Sequence, residues 1–145
     1  STDINYEKTM EKYINDDIHI QLGSCTYKPE FCTWDQWLPF DSMCHYITKS
    51  DLVIAHAGAG TTLLCLELKK TPIIVPRKKD YNEHLDDHQI SFARLIERLD
   101  YAVVAYDASE IKKCINQVKI KNQVRNSYKK NNSDLVSYLN SWFNS

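Results

Sequence analysis

Short apolar runs alternate with segments of helical periodicity along most of the chain. The apolar runs are rich in β-branched and aromatic residues and predict strands at residues 18–22, 52–55, 72–76 and 101–106. Three of these runs lack strict alternation of polar and apolar positions, which is typical of strands that are covered on both faces. Apolar residues at helical spacing predict helices at residues 5–14, 41–49, 61–70, 86–99 and 109–118, and an amphipathic C-terminal helix at about 133–144. Strands that alternate with helices predict an α/β fold, with a parallel sheet flanked by helices.

Local chemistry predicts where two of the helices begin. Asp41 or Ser42 is a suitable N-cap for the helix at 41–49, and Ser109 for the helix at 109–118. Each of these side chains can accept a hydrogen bond from a free amide of the first turn. We therefore expect the helices to start at these residues.

Three other segments carry weaker predictions. Residues 61–70 are apolar almost all round, so we expect a buried helix, and its closing lysines suit a helix C-terminus. Residues 25–40 contain two prolines and two tryptophans and are expected to be irregular. Residues 119–133 are polar and are expected to be part helix and part linker.

Composition is that of a single globular domain, which we place at residues 1–145. Apolar residues make up 43% of the chain and charged residues 26%. A net charge of −1 offers no basic surface for nucleic acid, and no apolar run approaches the length that spans a bilayer. The five cysteines are scattered and odd in number, without a CxxC pair. We therefore expect reduced thiols, and neither disulfides nor a zinc site.

Two of the three glycines lie in one pentapeptide, HAGAG, at residues 56–60. Glycine is favoured where the backbone bends sharply or where a ligand approaches it closely, so we expect a turn that other residues cannot make. A strand, a glycine turn and a helix N-terminus together form an anion site, and Thr61 and Thr62 add hydroxyl donors. The alternative is a tight turn that allows the helix to pack closely on the strand.

A second polar cluster follows the next predicted strand, at residues 77–89. Carboxylates, imidazoles and an amide, as found here, are the groups that bind sugar hydroxyls. The alternatives are a solvated surface loop and a metal site, because His84 and His88 are four residues apart and could share a helix face. The metal site is the weaker hypothesis, since the glutamate of an HExxH motif and a third ligand are both missing.

These motifs, in this order, resemble the C-terminal domain of glycosyltransferase family 28. The matching stretches are VIAHAGAGTT, PIIVPR and DHQISFA, and the likeness covers roughly residues 18–115, most strongly 50–93. It is closest to small single-domain members. These are the catalytic subunit that adds the second GlcNAc to dolichyl-diphosphate-GlcNAc, and the catalytic subunit of bacterial two-component polysaccharide glycosyltransferases. The tripeptides VPR and DHQ, and the stretch WLPFDSM upstream, favour the bacterial group.

The resemblance implies the Rossmann-like, donor-binding half of a GT-B enzyme. Such a domain binds a UDP-sugar, here UDP-GlcNAc or UDP-Gal, without a metal or another cofactor. A membrane-anchored partner subunit supplies the acceptor-binding half, and the hexose is transferred to a polyprenyl- or dolichyl-diphosphate-linked sugar. The resemblance therefore implies a cytoplasmic chain that is held at the cytosolic face of a membrane through its partner.

The resemblance also assigns site residues, in three groups. The donor diphosphate would be held by Gly58, Ala59, Gly60, Thr61, Thr62 and Arg77. The donor sugar would be bound by Asp87, His88 and Gln89. The catalytic group would be His56, Glu83 and His84, although His56 could instead brace the glycine turn.

Two departures from the family pattern leave an alternative function open. Many relatives carry an acidic ribose ligand one turn into the glycine-loop helix, where this chain has Leu64 and the next acid is Glu67. Family members usually begin with a strand ending in a glycine-threonine turn, which we expect to be missing here. The alternative is a non-catalytic module of the same fold that binds a nucleotide sugar or a partner. A hydrolase or epimerase is disfavoured because the chain has neither GxSxG nor a Walker lysine.

Aromatic residues suggest two partner surfaces. The first is an apolar stripe of the predicted C-terminal helix, formed by Leu135, Tyr138, Leu139, Trp142 and Phe143. The second is formed by Trp34, Trp37 and Phe40, in the segment that contains Pro29 and Pro39. Each could instead pack in the core, because aromatic side chains are common both in cores and at interface anchors.

Overall fold

The computed structural model describes residues 17–30, 32–77 and 88–125. The helices predicted at 5–14 and 133–144 lie outside these ranges. The strands are β1 (His19–Gln21), β2 (Thr33–Asp35), β3 (Ile54–His56), β4 (Ile73–Val75) and β5 (Val103–Val104). The helices are α1 (Phe40–Lys49), α2 (Ala59–Glu67), α3 (His88–Arg98) and α4 (Ile111–Arg125), with a 3-10 helix (Ala108–Glu110) ahead of α4.

All of the described strands pair in parallel. β3, β4 and β5 form one sheet in that order, and β1 pairs with β2 in a second sheet. In the larger sheet Ile54 lies opposite Ile73 and His56 opposite Val75. The predicted α/β fold with parallel strands is confirmed, and its described strands divide between two sheets.

The core lies on both faces of β4. On one face Ile74 packs with Phe92 and Ile96 of α3 and with Leu66 of α2. On the other face Ile73 and Val75 pack with residues of α4, such as Ile111 and Val118. All three residues of β4 are buried, so an unbroken apolar run is the pattern this strand requires.

Two predictions about the first half of the chain are wrong. The segment 25–40 contains β2, a strand whose Thr33 lies opposite His19 of β1. Helix α1 is not capped by Asp41 or Ser42, because its N-cap is Pro39, whose extended backbone (ψ 154°) leads into the helix. Asp41 lies in the first turn instead, where its charge suits the helix dipole.

In the second half of the chain one N-cap prediction is wrong, and the helix predicted at 109–118 is longer than expected. The N-cap ahead of α4 is Asp107, not Ser109, because the Asp107 side chain accepts a hydrogen bond from the Ser109 amide. The polar stretch after residue 118 continues α4 as far as Arg125.

Helix α2 is shorter and less buried than its composition suggests. It ends at Glu67, so the lysines at 69 and 70 follow it. Lys69 adopts a left-handed backbone (φ 62°), and the Lys70 Nζ donates to the carbonyl of Ser50 at 2.9 Å. The second lysine therefore ties the end of α2 to the end of α1.

Candidate functional site

The carboxyl ends of β3 and β4 lie side by side. His56 and Val75 end their strands and are paired directly. Beyond them, Gly58 follows His56 as Arg77 follows Val75 in the sequence. The two motifs found in the sequence therefore leave the sheet at the same edge, which is where open parallel sheets bind ligands.

Helix α2 begins without a side-chain cap. Its N-cap is Gly58 (φ −81°, ψ 136°), and no side-chain cap is formed there by the residues that the structure describes. The first backbone bond within the helix runs from the Thr62 amide to the Gly58 carbonyl at 3.2 Å. The amides of Ala59, Gly60 and Thr61 precede that bond and point out of the helix N-terminus. Such a group of amides attracts an anion.

The two glycines of this turn are not required by its geometry. Neither has a positive φ, so an ordinary residue could adopt either backbone conformation. Among the described residues, nothing lies within 4 Å of a Cβ built on Gly58 or on Gly60. Two of the sequence-based explanations, a turn that only glycine can make and close packing of helix on strand, are therefore wrong, and the third, close approach of a ligand, stays a prediction. The described residues leave the space in front of the two glycines open.

Gly23 shows what a structurally required glycine looks like in the same chain. Its φ is +62°, where other residues are strained, and a Cβ there would lie 3.5 Å from the Trp37 ring. It joins β1 to the next segment, and its amide donates to the Gln36 carbonyl at 2.8 Å. The glycine at this turn is explained by the chain itself, unlike the pair at the start of α2.

The two threonines of α2 have different surroundings. Thr62 has no exposed surface, and its Oγ1 has no hydrogen-bond partner among the described residues. Its amide is already bonded to Gly58, so in this conformation Thr62 offers an incoming diphosphate neither group. Thr61 is half-buried and its amide is one of the three at the helix start. Of the predicted pair, only Thr61 is accessible to a ligand.

Arg77 and Gln89 meet at the end of β4. The Arg77 amide donates to the Gln89 Oε1 at 3.4 Å, across the loop that joins β4 to α3. The Arg77 Nε is buried and has no hydrogen-bond partner among the described residues. A buried guanidinium N–H without a partner is costly, so an anionic acceptor here would be bound favourably.

The remaining predicted residues are only partly described. His88 is exposed at the first residue of α3, and His56 is half-buried at the end of β3. The His56 Nδ1 lies 3.1 Å from the carbonyl oxygen of Val75. Glu83, His84 and Asp87 lie outside the described residues. The structure thus brings His56, Gly58, Arg77 and Gln89 to one edge, and their roles stay predictions.

The ribose ligand has no replacement on α2. Leu64 is half-buried, and Glu67 is the last residue of the helix. At 1.5 Å per residue, Glu67 lies about 10 Å along the axis from Gly60. It is therefore too far from the helix start to bind the ribose of a nucleotide whose diphosphate lies there.

The tip of β5 is closed by its own side chains, and the sequence analysis missed these. The Tyr106 amide donates to the Glu110 Oε2 at 3.0 Å, and the Asp107 Oδ2 accepts from the Ser109 hydroxyl at 2.5 Å. The signal was present, because Asp107 and Glu110 have the spacing of a capping box. Burial raises the pKa of the Tyr106 phenol, as does the carboxylate of Glu97, which accepts its hydrogen bond.

Two surface depressions have linings that differ from the predicted site. An open depression of about 430 Å³ is lined by Glu97, Asp100 and Lys121 among others, with Asp100 and Lys121 paired. A second, of about 410 Å³, lies along α1 at Asp41 and His45. Neither is lined by a predicted site residue.

The aromatic segment ahead of α1 is largely exposed. Trp37 is 67% exposed and Phe40 68%, so these two side chains do not pack in the core. Trp34 is half-buried, with the Lys28 ammonium 5.5 Å from its ring centroid.

Metal-ligand clusters and membrane-spanning helices are both absent from the described residues. Residues 17–30, 32–77 and 88–125 contain no group of three or more potential metal ligands. None of the described helices combines the length and the apolar character that crossing a bilayer requires. The five cysteines form no disulfide.

Comparison with known proteins identifies the family. Residues 5–139 match the sequence model of the glycosyltransferase family 28 C-terminal domain. The UDP-N-acetylglucosamine transferase subunit ALG13 of Candida albicans is 34% identical over 71 residues, 49% of this chain and 22% of that protein. The human protein of that name is 36% identical over 84 residues, 54% of this chain and 7% of that protein. The one from Debaryomyces hansenii is 30% identical over 73 residues, 50% of this chain and 34% of that protein.

These matches are partial on both sides. The aligned part of the chain spans between 7% and 34% of the length of these relatives. No solved structure matches. The predicted closeness to the bacterial subunits stays a prediction.

Proposed function

Because this chain belongs to the glycosyltransferase family 28 C-terminal domain family, we propose that it is the donor-binding catalytic subunit of a UDP-GlcNAc transferase. The relatives that it matches are named as subunits of a UDP-N-acetylglucosamine transferase, which favours UDP-GlcNAc over UDP-Gal as the donor. The donor would bind across the carboxyl ends of β3 and β4.

One observation carries this proposal: the open space in front of Gly58 and Gly60. At Gly60, inside the first turn of α2, a glycine costs up to about 1 kcal/mol relative to alanine, whereas at the N-cap Gly58 a glycine costs little. Neither the backbone conformation nor the packing of the described residues requires this cost at the start of α2. A diphosphate that approaches the backbone closely would require it, because a methyl group at either position would occupy its place.

The reaction would use these groups to stabilise the leaving UDP. As the sugar–phosphate bond breaks, negative charge grows on the diphosphate. The three amides at the start of α2 are oriented before the reaction, so they stabilise that charge without rearranging. Arg77 would supply the positive charge that a metal ion provides in other enzymes, and we propose that the reaction needs neither a metal nor another cofactor. Thr62 would act through packing in this scheme.

The sugar would lie over the start of α3. With its Oε1 engaged by the Arg77 amide, the Gln89 side chain presents its NH2 group as a donor to a hydroxyl or acetamido oxygen. Asp87 and His88 would contact the same sugar. Glu83 and His84 are the proposed candidates for positioning the acceptor.

The acceptor half would come from a partner. We propose a membrane-anchored subunit that binds a polyprenyl- or dolichyl-diphosphate-linked sugar and holds this chain at the cytosolic face of the membrane. The relatives are named as subunits, which supports a partner. The exposed Trp37 and Phe40 are suited to such a contact, because large aromatic side chains act as interface anchors.

The second candidate function is a non-catalytic binding module. The observation that favours it is the missing ribose ligand, since Leu64 is half-buried and Glu67 lies at the far end of α2. Such a module would bind a nucleotide sugar or the partner without transferring the sugar.

A thermal-shift series tests donor binding. The wild type should gain stability with UDP-GlcNAc and with UDP, and less with UDP-Gal; a ligand at 100 times its Kd adds about 2.7 kcal/mol. Gln89→Ala should lose most of the difference between UDP-GlcNAc and UDP and keep the response to UDP. Gln117→Ala, a change at an exposed glutamine of α4, is the matched control and should behave as wild type.

The outcomes separate the two functions. Transfer of GlcNAc to a lipid-linked acceptor after reconstitution with the membrane subunit supports the enzyme, and binding without transfer supports the module. No stabilisation by any of the three ligands would contradict both donor-binding proposals.

A further inference from the structure

The His56 side chain bonds to the neighbouring strand. Its Nδ1 lies 3.1 Å from the Val75 carbonyl oxygen, and the two residues are also register partners at the ends of β3 and β4. A carbonyl oxygen only accepts, so the hydrogen of this bond belongs to the ring, and the Nδ1 is protonated. The contact joins positions 19 residues apart in the chain.

The Val75 carbonyl faces β3 because of the alternation within β4. The Ile73 amide donates to the Val53 carbonyl, on the β3 side, at 2.8 Å. The Ile74 carbonyl faces the other way and accepts from Ala105 at 2.9 Å. Alternate residues of a parallel strand bond to the same neighbour, so Val75 faces β3 as Ile73 does. Beyond His56 the backbone of β3 turns into the glycine segment. The His56 ring, and not a backbone amide, then donates the hydrogen bond to the Val75 carbonyl.

We infer that His56 is a positioning residue that fixes the separation of the two halves of the donor site. One half, the helix start at Gly58, begins two residues after His56. The other half is the bonded pair Arg77 and Gln89, of which Arg77 lies two residues after Val75. A donor that bridges the two strand tips is bound tightly only while the distance between the tips is constant. The hydrogen bond from the His56 ring to the Val75 carbonyl holds that distance at the last paired residues of β3 and β4. The effect on donor binding rests on the proposed function, whereas the positioning itself rests on the hydrogen bond between His56 and Val75.

Substitutions of the His56 side chain can separate a positioning role from a role in proton transfer. An asparagine carries its amide NH2 on the same Cγ as the ring Nδ1 of histidine, so His56→Asn can keep the bond to Val75. It removes the Nε2, which a proton-transfer role would require. Glutamine moves the amide one carbon further out, and alanine removes the donor altogether.

The experiment measures the Kd for UDP-GlcNAc by calorimetry in the wild type and in His56→Asn, His56→Gln and His56→Ala. We expect His56→Ala and His56→Gln to weaken binding about tenfold, the equivalent of one net hydrogen bond of about 1.4 kcal/mol. His56→Asn should stay within about twofold of the wild type. If His56→Asn binds as weakly as His56→Ala, or if His56→Ala binds as the wild type does, the positioning role is overturned.

A second measurement does not depend on the donor. Nitrogen-15 NMR of the histidine rings should show a protonated Nδ1 at His56, and amide hydrogen exchange should report on the strand tips. His56→Ala should speed exchange of the Arg77 amide about tenfold and leave the Ile73 amide, deeper in the sheet, unchanged. His56→Asn should leave both unchanged. If no UDP ligand binds the wild type, the proposed function fails, but these exchange rates still decide whether His56 positions the two strand tips. An unprotonated Nδ1 of His56, or equal exchange in all variants, would refute the positioning role.

Discussion

Two strand tips at the same edge of the larger sheet are built in opposite ways. At the tip of β5, Asp107 and Glu110 accept hydrogen bonds from the backbone amides of Ser109 and Tyr106. At the tip of β3, the helix starts at Gly58 with no side-chain cap. Both tips lead from a parallel strand into a helix, so the difference lies in the side chains and not in the topology.

The difference shows which tip can accept an outside anion. The tip of β5 already holds two carboxylates, which satisfy its amides and would repel a phosphate. Among the described residues no side chain fills the space at the tip of β3, and Arg77 lies at the neighbouring strand end. Two tips with the same strand-to-helix geometry therefore differ in whether their own side chains already satisfy the amides.

Gly58→Asp should have the largest effect, because it turns the open tip into a closed one. The backbone at Gly58 (φ −81°, ψ 136°) is that of an N-cap, so the carboxylate can accept from the first-turn amides. We expect the free energy of unfolding in urea to rise by only about a few tenths of a kcal/mol, because glycine is itself a tolerated N-cap, while the affinity for UDP-GlcNAc falls about a hundredfold or more. A variant that keeps wild-type donor affinity would show that the diphosphate lies elsewhere.

Gly60→Ala should have the next largest effect, with opposite signs for stability and binding. Replacing a helical glycine with alanine stabilises by about 0.5–1 kcal/mol, and a Cβ here meets no described atom within 4 Å. The same methyl group would occupy the donor's place, so we expect affinity for UDP-GlcNAc to fall about tenfold by calorimetry. The control is Lys112→Gly, a change at an exposed position of α4, which should lose about 0.5–1 kcal/mol and keep donor binding. A stabilised Gly60→Ala that binds normally would count against the assigned site.

Helices α2 and α4, which follow the two strand tips, each contain one buried cysteine. These cysteines make the free energy of unfolding depend on pH in the alkaline range. Burial raises the pKa of the Cys65 thiol of α2 to about 12, and burial followed by the charge of Glu110 raises that of Cys114 in α4. In the unfolded chain the Cys65 thiol ionises near its ordinary pKa of 9.0. The folded state keeps its proton, so stability is constant below about pH 9 and falls between about 9 and 12, by about 1.4 kcal/mol per pH unit for one thiol.

The measurement is the free energy of unfolding in urea at pH 8 to 10. Cys65→Ala should be less stable than the wild type at pH 8 and should lose less stability on going to pH 10. Equal slopes in the two proteins would mean that Cys65 ionises as readily in the folded state.

Asp107→Ala should have the smallest effect, confined to stability. Loss of an N-cap costs about 1 kcal/mol, and Asp107→Asn, which can still accept from Ser109, should restore it. Donor affinity should not change in either variant, since the tip of β5 is closed in the wild type. A drop in UDP-GlcNAc affinity would show that both tips serve the donor.

Much of the architecture could be predicted from local pattern. The unbroken apolar run was sufficient to predict β4, because a strand buried on both faces has no polar positions. The apolar residues at helical spacing were sufficient to predict α3, because only one face of that helix is buried. The strand β2 was missed because it has three residues between prolines and is defined by its pairing with β1. At the tip of β3 the strand, the turn and the helix start were located correctly, but two explanations for its glycines were wrong, since these need neither a special φ nor close packing.

The sequence by itself determined the alternation of β3, β4 and β5 with the helices that follow them, the family, and the positions where strand tips carry polar or glycine residues, because those follow from periodicity and from short motifs. Only the tertiary structure decided that Thr62 faces inward, that Arg77 bonds to Gln89, and that the ring of His56 reaches Val75. These contacts depend on which strand lies next to which and in what register. Residues far apart in the chain set that register together, and no local pattern records it.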